Sequence, residues 1–135
     1  MMLTDTHAHL DFPDFAADFD AVLERARTAG IERLITIGTS IESSRRAIAL
    51  AEKYDRLFAV VGVHPGNADE ASPDFIQPLR ELAAHPKVVA LGECGLDYYR
   101  LPSARAEPGV DAVALDRAYK QRQAEVFQQQ LELAA

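Results

Sequence analysis

The sequence predicts an α/β fold built on a parallel sheet. Three observations carry this reading: short apolar runs alternate with amphipathic stretches, the alternation occurs four times, and the later runs close on a glycine or a polar residue. Strict strand–helix alternation implies parallel strands joined by right-handed crossovers. At 135 residues the chain suits a single domain. Its 48% hydrophobic and 26% charged content excludes the disordered and membrane classes and leaves an ordinary globular one. No run approaches the ~18 apolar residues of a membrane helix.

The elements follow in order. Thr4 to Asp11 reads as the first strand. Phe15, Phe19, Val22, Leu23 and Ala26 then fall at helical spacing, with Asp14 as an N-cap and Gly30 as the stop. Leu34–Ile37, closed by Gly38, is the second strand, and Ala47, Ile48, Ala51 and Tyr54 form the next helical stripe behind Ser40 as cap. Leu57 to Val63 is a third strand, near-continuously apolar as expected where both faces are covered. Ser72-Pro73 resembles a helix start, but Pro78 inside the same helix would remove a hydrogen bond, which moves the start towards Gln77 and the end to Ala84. Val88 to Leu91 is the fourth strand. Cys94 to Gly109 is long for a strand-to-helix connection, and such loops carry function. The last helix shows Leu115, Ala118, Tyr119, Val126, Phe127, Leu131 and Ala134 as its stripe.

The chemistry-bearing residues gather where strands end. In an extended Thr4-Asp5-Thr6-His7-Ala8-His9-Leu10-Asp11, side chains alternate, so His7 and His9 project to one side and can reach one divalent cation. Paired histidines near a terminus can also be plain surface residues; the flanking Asp5 and Asp11 favour the metal. The run Val88–Leu91 ends in Gly92-Glu93-Cys94-Gly95-Leu96-Asp97, where the glycines let backbone approach closely or adopt positive φ. A third run ends in Gly62-Val63-His64-Pro65-Gly66. Three strand ends thus deliver His7, His9, His64 and Glu93 to one rim. Imidazole ligands need their second nitrogen held by an acceptor, for which Asp5, Asp11 and Asp97 are candidates. His85, before Pro86, reads as a surface residue. Tyr98, Tyr99 and Arg100 either meet a nucleobase and phosphate or merely pack the long loop.

A net charge of −7 with no basic stripe argues against tight duplex binding, which rests on lysine and arginine contacts to phosphate. Arg45-Arg46 and the Arg100/Arg105 loop are the only basic concentrations, and both read as solvated surface. Cations at a metal site can themselves supply positive charge to a phosphate. The first residues lack a signal peptide's basic and apolar regions, and the single cysteine, Cys94, fits a reducing cytoplasm. No G-x-S-x-G, phosphate loop or dinucleotide fingerprint occurs.

The blocks DTHAHLD (Asp5 to Asp11), VGVHPG (Val61 to Gly66) and GECGLDYY (Gly92 to Tyr99), with RQAEVFQQQLELA from Arg122 to Ala134, resemble the TatD-type metal-dependent deoxyribonucleases over nearly the whole chain. The resemblance implies a (β/α) barrel related to the amidohydrolases that hydrolyses phosphodiester bonds in DNA, as single strands or ends, with two divalent cations (Mg, Mn or Zn). It implies His7 and His9 as ligands of one metal, Glu93 as the carboxylate serving or bridging two, and His64 and Asp97 as site-lining residues. The family pattern continues with two further histidines and an aspartate that this sequence lacks. A complete eight-stranded barrel needs roughly 250 residues. Residues 1–135 are therefore expected to form the N-terminal half of a metal-dependent hydrolase: a partial TIM-type barrel of four βα units, inactive alone. Such a half-barrel would expose apolar side chains on the second sheet face and self-associate.

Two other readings stand beside this one. An amidohydrolase or phosphatase can carry the same His-x-His, and a non-catalytic half-barrel can associate with a partner chain.

Overall fold

The computed structural model describes residues 2–135; Met1 lies outside them. Four strands, β1 (Leu3–Ala8), β2 (Ile31–Ile37), β3 (Leu57–Val61) and β4 (Val88–Leu91), form one parallel sheet in the order β1-β2-β3-β4. Helices α1 (Phe19–Thr28), α2 (Ile41–Lys53), α3 (Ile76–Ala83) and α4 (Ala112–Ala134) alternate with them. The predicted α/β class and sequential strand order are both present.

Local chemistry explains most boundaries. Ser40 Oγ accepts from Ser43 N–H at 3.2 Å and starts α2. Gly30, at φ +91°, closes α1 in the left-handed conformation that favours glycine. Asp14 does not cap α1. It sits in a separate 3-10 turn, Pro13–Phe15, because Pro13 fixes that turn, and the helix starts only at Phe19. Pro78 is the third residue of α3, where its missing N–H would have no intrahelical partner anyway, so the proline is tolerated. β3 stops at Val61 rather than Val63, since the Gly62 N–H turns to Ser44 Oγ of α2 and the Val63 N–H to Gln130 Oε1 of α4.

The core lies between the sheet and the helices. Leu57, Ala59 and Val61 of β3 meet Ala47, Ile48 and Ala51 of α2, Leu79 of α3, Phe75 and Val126. Alternation places Ile35, Ile37, Phe58 and Val60 on the other face, and the β2–β3 register pairs Ile35 with Phe58 and Ile37 with Val60. That second face is less exposed than the sequence implies: Ile37 and Val60 are buried, and Val89 on edge strand β4 is the strongly exposed member at 51%. Curvature explains the difference. β1 and β4 are the two edges, so a flat sheet would hold them roughly 14 Å apart. Side chains from beyond both ends nevertheless meet, so the sheet curls and shelters its inner face.

The packing of α4 departs furthest from expectation. Of its predicted stripe only Val126 is buried, while Leu115 and Leu131 are exposed. The docking face instead carries Gln123, Val126 and Gln130, because α4 rests on the polar backbone of two loops.

Candidate metal centre

His7 is the penultimate residue of β1, and His9 follows the strand directly. Glu93 lies two residues beyond β4. Because the strands are parallel, all three stand at the carboxyl ends, where α/β folds place their sites. His7 Nε2 is 3.3 Å and His9 Nε2 3.5 Å from the same Glu93 oxygen, Oε1. The two rings stand edge-on, with centroids 5.2 Å apart and planes at 78°. One donor atom from each residue lies within 4.8 Å of the other two. This is the convergence that the sequence predicts.

Each member is held by its surroundings. His9 Nδ1 lies 3.3 Å from the Ile37 carbonyl, which as an acceptor places the proton on Nδ1 and frees the Nε2 lone pair. Phe12 stacks on the same ring at 5.0 Å and 21°. The predicted aspartate partners are otherwise engaged. Asp5 accepts from the His7 backbone N–H, and Asp97 from that of Tyr99. Asp11 accepts from Ser43 and Arg46 with one oxygen, and thereby ties the β1 loop to α2. Arg46 stays exposed, as read from the sequence, but is paired with Asp11. Neither Ile37 nor Phe12 carried a polar signal in the sequence. A backbone acceptor can come from any residue type, and an aromatic ring such as that of Phe12 announces no ligand.

Glu93 is the only non-glycine among the described residues with positive φ, at +50°. Such a conformation costs of order 1–3 kcal/mol and persists where neighbours over-determine it. Gly95 takes φ +147°, as the flanking glycines suggested, and a Cβ at Gly92 would sit 2.7 Å from Val60 Cγ1. Beside Glu93, burial pushes the Cys94 thiol up and favours its neutral form.

The donor set fits a divalent cation. Two ligands about 2.0–2.1 Å from a tetrahedral ion lie roughly 3.3 Å apart, close to the two imidazole–carboxylate separations. Glu93 Oε2 is buried with no hydrogen-bond partner, a costly arrangement that a cation would relieve.

Other predicted residues fall outside this triplet. His64 is half-buried, and its Nδ1 accepts from the Gly66 N–H at 2.9 Å, which leaves Nε2 as the protonated nitrogen of the neutral ring. His85 is a half-buried surface residue, 3.3 Å from the exposed Glu52. Tyr99 is 88% exposed and does not pack the loop, whereas Tyr98 lies under Lys120 Nζ. No helix among the described residues is long and apolar enough to cross a membrane.

Fold and donor set together define a class: α/β chains that collect imidazole and carboxylate side chains, able to hold a cation, at the carboxyl ends of parallel strands. The chain belongs to the family described as "TatD related DNase", whose pattern matches residues 4–135. It is 37% identical over 133 residues to the "Uncharacterized metal-dependent hydrolase YabD" of Bacillus subtilis, covering 98% of this chain and 46% of that protein. A "3'-5' ssDNA/RNA exonuclease TatD" from Enterobacter lignolyticus is 43% identical over 96 residues, 71% of this chain and 37% of that one. The crystal structure of YjjV, a TatD homologue from Escherichia coli, superposes with a TM-score of 0.78 at 36% identity, over 98% of this chain and 46% of its own. The chain spans about half the length, or less, of these relatives.

Proposed function

We propose that residues 1–135 form one half of a (β/α) barrel hydrolase that cleaves phosphodiester bonds in single-stranded nucleic acid, with His7, His9 and Glu93 as metal ligands. The convergence of three donor atoms from opposite sheet edges, at coordination spacing, carries this reading. The curl that this contact requires supports a partial barrel, and edge strand β4, flanked by a groove between Val89 and Leu133, offers a place for the next strand. The exonuclease named among the relatives supports the substrate class.

A bound divalent cation lowers the pKa of water and polarises a phosphoryl oxygen. The chain's own residues orient that chemistry. The Ile37 carbonyl keeps His9 in the ligating tautomer, and Phe12 fixes its ring plane. Glu93 offers one oxygen to the imidazoles' side and a second, buried one that can serve a further cation. His64, with Nδ1 engaged, presents an Nε2–H suited to a phosphate oxygen. Tyr99 offers an open ring to a base, and stacking of this kind is sequence-tolerant, as single-strand binding requires. Three ligands hold one ion but do not complete a two-cation set, so residues 1–135 alone are expected to be inactive.

A chelator-controlled assay on single-stranded DNA tests this, comparing the 135-residue chain with a version extended to a full barrel of about 260 residues. Cleavage by the extended chain alone is the expected result. Robust cleavage by the short chain, abolished by His7→Ala, would contradict the half-barrel reading. Silence from both would contradict the nuclease reading.

A further inference from the structure

We infer that Gln123 and Gln130 of α4 are positioning residues for the metal centre, fastening the two strand-end loops that hold Glu93 in its left-handed conformation. The inference rests on the metal-ligand reading given above.

Both side chains are fully buried, at 1% exposure each. Long polar side chains are seldom buried this completely unless both ends of the amide are used. Here both are. Gln123 Oε1 accepts from the Asp97 N–H at 2.8 Å, and its Nε2 donates to the Asp97 carbonyl at 3.0 Å. Gln130 repeats the pattern on Val63, accepting from its N–H at 2.8 Å and donating to its carbonyl at 3.1 Å. Each amide imitates a neighbouring strand where the ladder has ended. The residues are seven apart, two helical turns, so one face of α4 delivers both.

Their targets bracket the site. Asp97 lies four residues beyond Glu93 and ends the segment whose backbone turns through positive φ at Glu93 and Gly95. Val63 follows Gly62, and the Gly62 α-carbon lies so close to the Gly92 carbonyl that a Cβ there would overlap it. Gly92 directly precedes Glu93. The strained residue is thus held on its N-terminal side through Gly62–Gly92 and the Gln130 clamp, and on its C-terminal side by the Gln123 clamp. Arg122 adds contacts to the Ala68 and Ala71 carbonyls of the loop after β3. Strain of this kind survives only while such constraints act together.

Cobalt uptake by the full 135-residue chain, read from the visible absorption of Co²⁺, tests the assignment in three proteins. Gln123→Met keeps volume and helix propensity but removes both hydrogen bonds. Val126→Ala lies on the same helix face between the two glutamines, is similarly buried, and opens a cavity while leaving both amide–backbone clamps in place. Circular dichroism and thermal melts confirm folding and match the stability losses. Gln123→Met is expected to bind Co²⁺ about 10- to 100-fold more weakly, with shifted bands, as loss of an outer-sphere support does. Val126→Ala is expected to bind like the unsubstituted chain at a similar cost in melting temperature. Equal affinity and spectra in all three proteins, or equal weakening in both variants, would overturn the positioning role and leave the metal centre intact. No Co²⁺ uptake by the unsubstituted chain would overturn the metal centre and this inference with it.

Discussion

Replacing His9 by alanine is expected to reduce divalent-cation affinity by about 100-fold or more, at least the upper end of what loss of an outer-sphere partner costs. His9 is the better prepared of the two imidazoles. Its side chain is 27% exposed against 55% for His7, its Nδ1 faces the Ile37 carbonyl, and Phe12 packs its ring. A ligand held in one tautomer and one orientation loses little entropy on coordination. His7→Ala should therefore weaken binding less than His9→Ala, though in the same direction. Calorimetric titration with Zn²⁺ or Mn²⁺ measures both. Unchanged affinity in His9→Ala would place the bound ion elsewhere, and a larger loss in His7→Ala would contradict the role given to the Ile37 contact.

Substituting Gly62 by alanine is the second change of large expected effect. The added Cβ would overlap the Gly92 carbonyl oxygen and lie 3.2 Å from Gln130 Oε1. Both are held, Gly92 by its N–H bond to the Val61 carbonyl and Gln130 by its clamp on Val63, so relief requires backbone movement. Overpacking of this kind costs typically ~1–3 kcal/mol. The movement would also pass to Glu93 through one peptide link, so cation affinity should fall together with melting temperature. Gly62→Ala that melts and binds like the unsubstituted chain would show that the strand ends are less tightly set than their contacts imply.

The parts of this design that a sequence displays are those written in residue type. Apolar runs such as Leu34–Ile37 and Val88–Leu91 marked strands, and Ser40 marked the start of a helix. Histidines spaced two apart at a strand end point to one ion. What stayed hidden is written in backbone. The Ile37 carbonyl that orients His9 has no side-chain signature. The positive φ of Glu93 is masked by the flanking Gly92 and Gly95, residue types that alone suffice to make a turn. Helix α4 misled for a related reason: its apolar residues suggested a greasy seam, whereas the helix caps loop peptides with glutamine amides. The curl of the sheet was likewise not local. It emerges from strand coiling, and it accounts for the burial of Ile37 and Val60 on a face expected to lie open.

Anomalous scattering from crystals of the 135-residue chain grown with Zn²⁺ addresses the central claim, that one cation is held by ligands from opposite edges of the sheet. The expected result is a peak about 2.0–2.2 Å from His7 Nε2, His9 Nε2 and a Glu93 carboxylate oxygen together. A peak confined to other residues, or Glu93 turned away from both imidazoles while zinc is bound, would contradict it.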